Sequence, residues 1–134
     1  MADNLNMIDI NKMGTTALAY VGDAEYELRI RKHVIAKLPN DVNLANHNAV
    51  SYVSSAGQAK IAKEFCKKEF LTYEEERLLK RARNHRATSR PKTSDPRNYK
   101  WATGFEALVG FLYLSENWER LDEVVAEAIS IVEA

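Results

Sequence analysis

Two stretches of this chain carry glycine inside otherwise helical spacing, and that combination limits how its helices can pack. The first is Ala19-Tyr20-Val21-Gly22-Asp23-Ala24-Glu25-Tyr26-Glu27-Leu28, and the second is Ala102-Thr103-Gly104-Phe105-Glu106-Ala107-Leu108-Val109-Gly110-Phe111. A glycine inside a helix costs about 1 kcal/mol relative to alanine. Gly22, Gly104 and Gly110 therefore point to places where two helix backbones approach closely. Asp23 and Glu106 stand among these small and apolar neighbours and are expected to be largely buried. A lone buried carboxylate is costly unless it is paired or bound to a cation.

Neighbours on the same helix do not supply the cation. Ala19 and Glu27 lie four residues either side of Asp23, and Ala102 and Gly110 lie four either side of Glu106. Bringing Asp23, Glu27 and Glu106 together makes a repulsive cluster that a hard cation would neutralise. Oxygen ligands without nearby cysteine or histidine favour Mg2+ or Mn2+ over zinc. The same pattern is also compatible with each acid being satisfied by local hydrogen bonds. His33, His47 and His85 lack ligand spacing and read as solvated or capping residues. No nucleophile–histidine pairing, Walker loop or dinucleotide-binding glycine signature is present.

The rest of the chain reads as helices joined by short breaks. No segment alternates strictly, and there is no Asn-Gly or Asp-Gly hairpin dipeptide. Thr15 or Thr16 can cap a helix to about Lys37, with Leu18, Val21, Ala24 and Leu28 as its apolar positions. Pro39 ends it. Asp41 can cap a second helix to about Val53, and Ala59, Ala62, Phe65 and Cys66 form the stripe of a third. Thr72 with Glu75 fits a capping box that opens a fourth, to about His85. Residues 86–100, with Pro91 and Pro96, read as a mobile loop. Helices over about 101–115 and 118–132 complete the chain. Tyr52, Tyr73, Trp101 and Trp118 are expected to pack between helices rather than to stack on bases.

The formal net charge is zero, but the charges are segregated. Residues 80–100 carry a net +7, whereas residues 101–134 carry −6. A basic block of that density matches the electrostatic footprint of polyanion binding. The alternative is a solvated loop that offsets the acidic tail. The single cysteine, Cys66, cannot form an internal disulfide and reads as a small buried hydrophobe. No apolar run approaches the roughly 20 residues needed to cross a bilayer, and the start is too polar for a signal peptide. A soluble, cytoplasmic chain with one domain over residues 1–134 is expected.

AYVGDAEYEL resembles the signature of the ribonuclease III family, whose aliphatic-Gly-Asp-Ala core holds a catalytic aspartate. TGFEALVGFLYL resembles that family's second acidic helix. Their separation and the short chain, which lacks an appended double-stranded-RNA-binding domain, resemble the Mini-ribonuclease III branch. RARNHRATSRPK is similar to that branch's basic linker.

The resemblance implies an all-α endonuclease-domain fold of about six to seven helices, working as a homodimer. It implies that Asp23 and Glu106 are catalytic and bind Mg2+, with Mn2+ as a possible substitute, and leaves Glu27 or water to fill a vacant ligand position. Larger family members carry further carboxylates where this chain has Ala19 and Thr103, so those roles do not transfer. Glu25 stands where the signature is usually aliphatic. The implied activity is hydrolysis of double-stranded RNA, with precursor 23S ribosomal RNA trimmed at its 5′ and 3′ ends in ribosome biogenesis. Arg81, Arg83, Arg86, Arg90 and Lys92 would contact its phosphates, since duplex RNA is read mainly by shape. Two other readings remain at this point: a catalytically inactive duplex-RNA-binding module, and a helical protein whose basic loop docks an acidic partner.

Overall fold

The computed structural model describes residues 9–85 and 95–134, and these form one short 3-10 turn and six α-helices, with no strand among the described residues. The helices are α1 (Thr15–Lys37), α2 (Val42–Val53), α3 (Ser55–Lys67), α4 (Tyr73–Asn84), α5 (Pro96–Leu114) and α6 (Trp118–Glu133). The expected all-α class and helix number are found. Most helix starts follow from local chemistry. The Asp41 carboxylate accepts from the Leu44 amide at 3.0 Å, and the Ser54 hydroxyl accepts from the Gly57 amide at 3.0 Å. At α4 both bonds of the capping box form: Glu75 N–H donates to Thr72 Oγ1 at 3.1 Å, and Thr72 N–H donates to Glu75 Oε1 at 2.9 Å.

Three local expectations are corrected. Residues 96–100 are not loop. Asp95 caps α5 through the Arg97 amide at 2.8 Å, and Pro96 occupies the first turn, where its missing N–H and fixed φ favour a helix start. Residues 86–94 lie outside the described residues. Gly14, not a threonine, is the cap residue of α1, and Thr15 is buried as the first helical residue. The apolar face of α1 also has a different phase from the one expected. Thr15, Leu18, Ala19, Gly22, Tyr26, Ile30 and Val34 are buried, whereas Ala24 is exposed and Leu28 is 58 % exposed. Only Leu18 of the expected set turns inward fully.

The cause lies in α5. This helix is the central one, packed against α1, α3 and α4, and nine of its residues are buried. It crosses α1 at glycine. A β-carbon on Gly22 would lie 1.7 Å from the Glu106 carbonyl oxygen, and one on Gly110 would lie 1.9 Å from that of Leu18. Gly104 meets α4 in the same way, against the Leu79 carbonyl. Such contacts fix which side of α1 faces inward, and Tyr26, Ile30 and Val34 follow at helical spacing.

The core beyond the crossing is aromatic. The rings of Tyr26 and Phe105 meet edge to face at 4.7 Å, and Phe65 lies 6.0 Å from Phe105. The Tyr26 hydroxyl donates to the Tyr52 carbonyl at 3.1 Å, so the buried phenol is satisfied. Cys66 packs half-buried against this core, and burial pushes its thiol up. No helix among the described residues is long and apolar enough to cross a membrane.

Candidate active site

The glycine crossing sets the position of two acids. Gly22 rests on the backbone of Glu106, and Asp23 is the next residue, so their side chains emerge side by side from α1 and α5. The two carboxyls interact directly: the Glu106 carboxyl is pushed up to about 8. Burial is the largest cause, followed by the negative charge of Asp23 and a side-chain hydrogen bond with Asp23. A hydrogen bond with Gln58 opposes the rise, and the charge of Glu27 adds to it. Among the described residues, neither Asp23 nor Glu106 has a lysine or arginine within ion-pair distance.

The expectation that both acids are largely buried is half met. Glu106 is partly buried, whereas Asp23 is exposed. The pair is thus an open site: one acid anchored against the core, the other facing solvent. Glu27 does not complete a triad. Its Oε2 accepts from Arg31 Nε at 3.2 Å, and no group of three or more histidine, cysteine, aspartate or glutamate side chains among the described residues is arranged to hold a metal ion. Ala19 is buried, and the Thr103 hydroxyl donates to the Tyr99 carbonyl at 2.9 Å, so neither adds a ligand to the pair.

Glu25 has a separate task. Its Oε2 accepts from Arg29 Nε at 2.8 Å, and Arg29 also donates to Asp122, which ties α1 to α6. The residue that reasoning from sequence missed is Gln58, which is 2 % exposed and whose amide reaches Glu106. Its signal was available: position 58 continues the stripe of Ile61, Ala62 and Phe65 on α3 with a polar side chain.

Of the five basic residues expected to meet phosphate, Arg81 is exposed on the last turn of α4. Arg83 is partly buried, with its guanidinium 4.6 Å from the Trp101 ring centroid and its Nε donating to Asn84 Oδ1 at 2.9 Å. It joins the end of α4 to α5. Arg86, Arg90 and Lys92 lie outside the described residues. Trp101 packs against the core as expected, and Trp118 meets Tyr113 edge to face. Tyr73 does not follow the expectation, since it is 76 % exposed at the start of α4. His33 is held by Glu133 at 2.7 Å, while His47 and His85 are exposed.

The chain matches the Ribonuclease III domain over residues 16–117, a span that contains both acids and the crossing between them. This chain belongs to the ribonuclease III family. It is 39 % identical to the Mini-ribonuclease 3 of Streptococcus pneumoniae over 127 residues, covering 95 % of this chain and 99 % of that protein. It is 40 % identical to the Mini-ribonuclease 3 of Enterococcus faecalis, covering 89 % and 90 %. A crystal structure of a Fusobacterium nucleatum protein superposes with a TM-score of 0.77 at 29 % identity, covering 91 % of this chain and 96 % of that one. Within the ribonuclease III family this chain is therefore an endoribonuclease of the Mini-ribonuclease III type.

Proposed function

We propose that this endoribonuclease hydrolyses double-stranded RNA at the Asp23–Glu106 pair, with Mg2+ as its cofactor and Mn2+ as a substitute. The observation that carries the reading is the pair itself. Two carboxyls from helices more than eighty residues apart in sequence meet without a lysine or arginine partner among the described residues, and the carboxyl of Glu106 is pushed up to about 8. An acid in that state gains from a cation that its own fold does not provide, and an all-oxygen donor set suits a hard divalent ion. Asp23 and Glu106 are the residues that would hold it. The chemistry such an ion supplies when bound is acidification of water and neutralisation of charge on the attacked phosphate.

The protein's own contributions are placement and charge. Exposed Asp23 faces the solvent from which substrate arrives, and Glu106 is held against the core by the glycine contact beneath it. Arg81 and Arg83, with Arg86, Arg90 and Lys92, would meet backbone phosphate and position the duplex without selecting bases. The reading extends to a homodimer in which each protomer contributes one acid pair. It is supported by an apolar outer surface on α1 and α2, where Tyr20 is 82 %, Leu28 58 % and Val42 69 % exposed. Precursor 23S ribosomal RNA, matured at both ends in the cytoplasm, is the substrate that fits this family reading.

The test is cleavage of a duplex RNA with and without Mg2+, beside Asp23→Asn and Glu106→Gln. Metal-dependent cutting abolished by both substitutions is the expected result. Salt-sensitive binding without cutting, across a range of Mg2+ and Mn2+ concentrations, would instead describe an inactive binding module. A Leu28→Lys variant that sediments like the unmodified protein would remove the dimer face from α1.

A further inference from the structure

Among the described residues, the buried side-chain oxygen left without a hydrogen-bond partner is Oε1 of Gln58. This residue lies on α3, 2 % exposed, between the end of α2 and Glu106 on α5. Its Nε2 donates to the Val53 carbonyl at 3.1 Å. That contact fixes the amide: a flipped group would set two acceptors against each other, so the remaining terminus is an acceptor. The Val53 carbonyl is one of the last-turn carbonyls of α2, and satisfying it explains why a donor stands at position 58. It does not explain the acceptor on the other side of the amide, because buried acceptors are almost always paired.

No donor among the described residues pairs with Oε1, and the neighbouring acid pair is where a hydrated cation would enter. We propose that Gln58 is a positioning residue of the Asp23–Glu106 centre: its amide, anchored on Val53, orients the Glu106 carboxylate, and its free Oε1 accepts a hydrogen bond from a water that accompanies the divalent ion. This rests on the metal reading given above. Residues that hold metal ligands in place are worth about 10–100-fold in metal affinity in other sites, which sets the size of the effect.

The experiment measures Mn2+ binding to the full chain by calorimetry, without RNA, for the unmodified protein, Gln58→Met and Gln58→Glu. Both variants lose the donor to Val53, but only Gln58→Glu keeps an acceptor in place of Oε1. Mn2+ affinity is expected to fall about tenfold or more in Gln58→Met and to stay within a few-fold in Gln58→Glu, while both melt at similarly lowered temperatures. Equal losses of Mn2+ affinity in the two variants, or none in Gln58→Met, overturn the proposal. Titration of the unmodified protein with Mg2+, followed by NMR, gives a reading that needs no variant. The Gln58 side-chain amide signals must move with Mg2+, and their failure to move also overturns it. If the unmodified protein binds neither ion, the metal reading itself falls, an outcome distinct from binding that ignores position 58.

Discussion

Glu75 and Glu106 both sit on helices that pack into the interior, yet their carboxyls are driven in opposite directions. Burial pushes Glu75 up, but Arg120 and the Thr72 cap outweigh it, and Glu75 ends below its ordinary range. Arg120 donates to both of its oxygens, at 2.9 and 2.8 Å, and to the Phe70 carbonyl at 3.0 Å, with its guanidinium over the Phe70 ring. Such a bidentate arrangement satisfies every part of the acid. Glu106 has burial, a second acid beside it and a single opposing amide, and it is pushed up to about 8. The first glutamate closes α4 onto α6. The second is left with an unmet requirement for positive charge, which is the physical mark of a site rather than of a staple.

The contrast can be broken most severely at the crossing that creates it. Gly22→Ala places a β-carbon 1.7 Å from the Glu106 carbonyl oxygen, and backbone cannot yield as a side chain does. A loss of about 3 kcal/mol or more is expected in urea unfolding, with cleavage lost as the acids separate. A Gly22→Ala protein of unchanged stability would mean that α1 and α5 do not meet there.

Removing the partner of the satisfied acid comes next. Arg120→Ala leaves Glu75 charged at a site where it is only 8 % exposed, and stability should fall by about 3 kcal/mol at neutral pH. The lowered carboxyl of Glu75 makes this contribution present above the ordinary carboxylate range and lost as pH falls through and below it. The difference between Arg120→Ala and the unmodified protein should therefore narrow in acid, by thermal unfolding at a series of pH values. A difference that is constant with pH would assign Arg120 to packing alone.

The unsatisfied acid has the reverse sign. Folded Glu106 keeps its proton up to about 8 while the unfolded chain releases it in the ordinary range, so it subtracts stability as pH rises between the two. Glu106→Gln should raise stability by on the order of 1–2 kcal/mol at pH 8 and by little at pH 4, while abolishing cleavage. A variant that melts lower at pH 8 would show that the carboxyl supports the fold. The smallest effect concerns a turn outside both sites. Glu116 holds φ at 58° after α5, a conformation that glycine adopts more freely. Glu116→Gly is expected to add about 0.5 kcal/mol and to leave cleavage unchanged, checked by the urea midpoint.

What could be read from the chain depended on the range of the interaction. The capping box of Thr72 and Glu75, the Asp41 cap and the helix stripe of α3 are formed within four residues and were all legible. Pro96 is ambiguous in sequence because proline ends helices and also begins them, and the Asp95 cap distinguishes the two. On α1 every third or fourth position carried an apolar residue on more than one face, so spacing alone could not choose between Leu28 and Tyr26. At Gln58 the sequence shows a polar residue on an apolar stripe, but not its interaction with Glu106.

The sequence by itself determined that the chain is helical, where most helices begin, and that helices approach closely at its glycines, because propensity, capping and the missing β-carbon are properties of neighbouring residues. Tertiary structure decided which face of α1 turns inward, which glutamate receives an arginine and which receives another acid. Those outcomes join residues far apart in the chain, Arg120 to Glu75 across 45 positions among them. At such separations, burial and charge are set by whatever the packed helices bring together, not by local spacing.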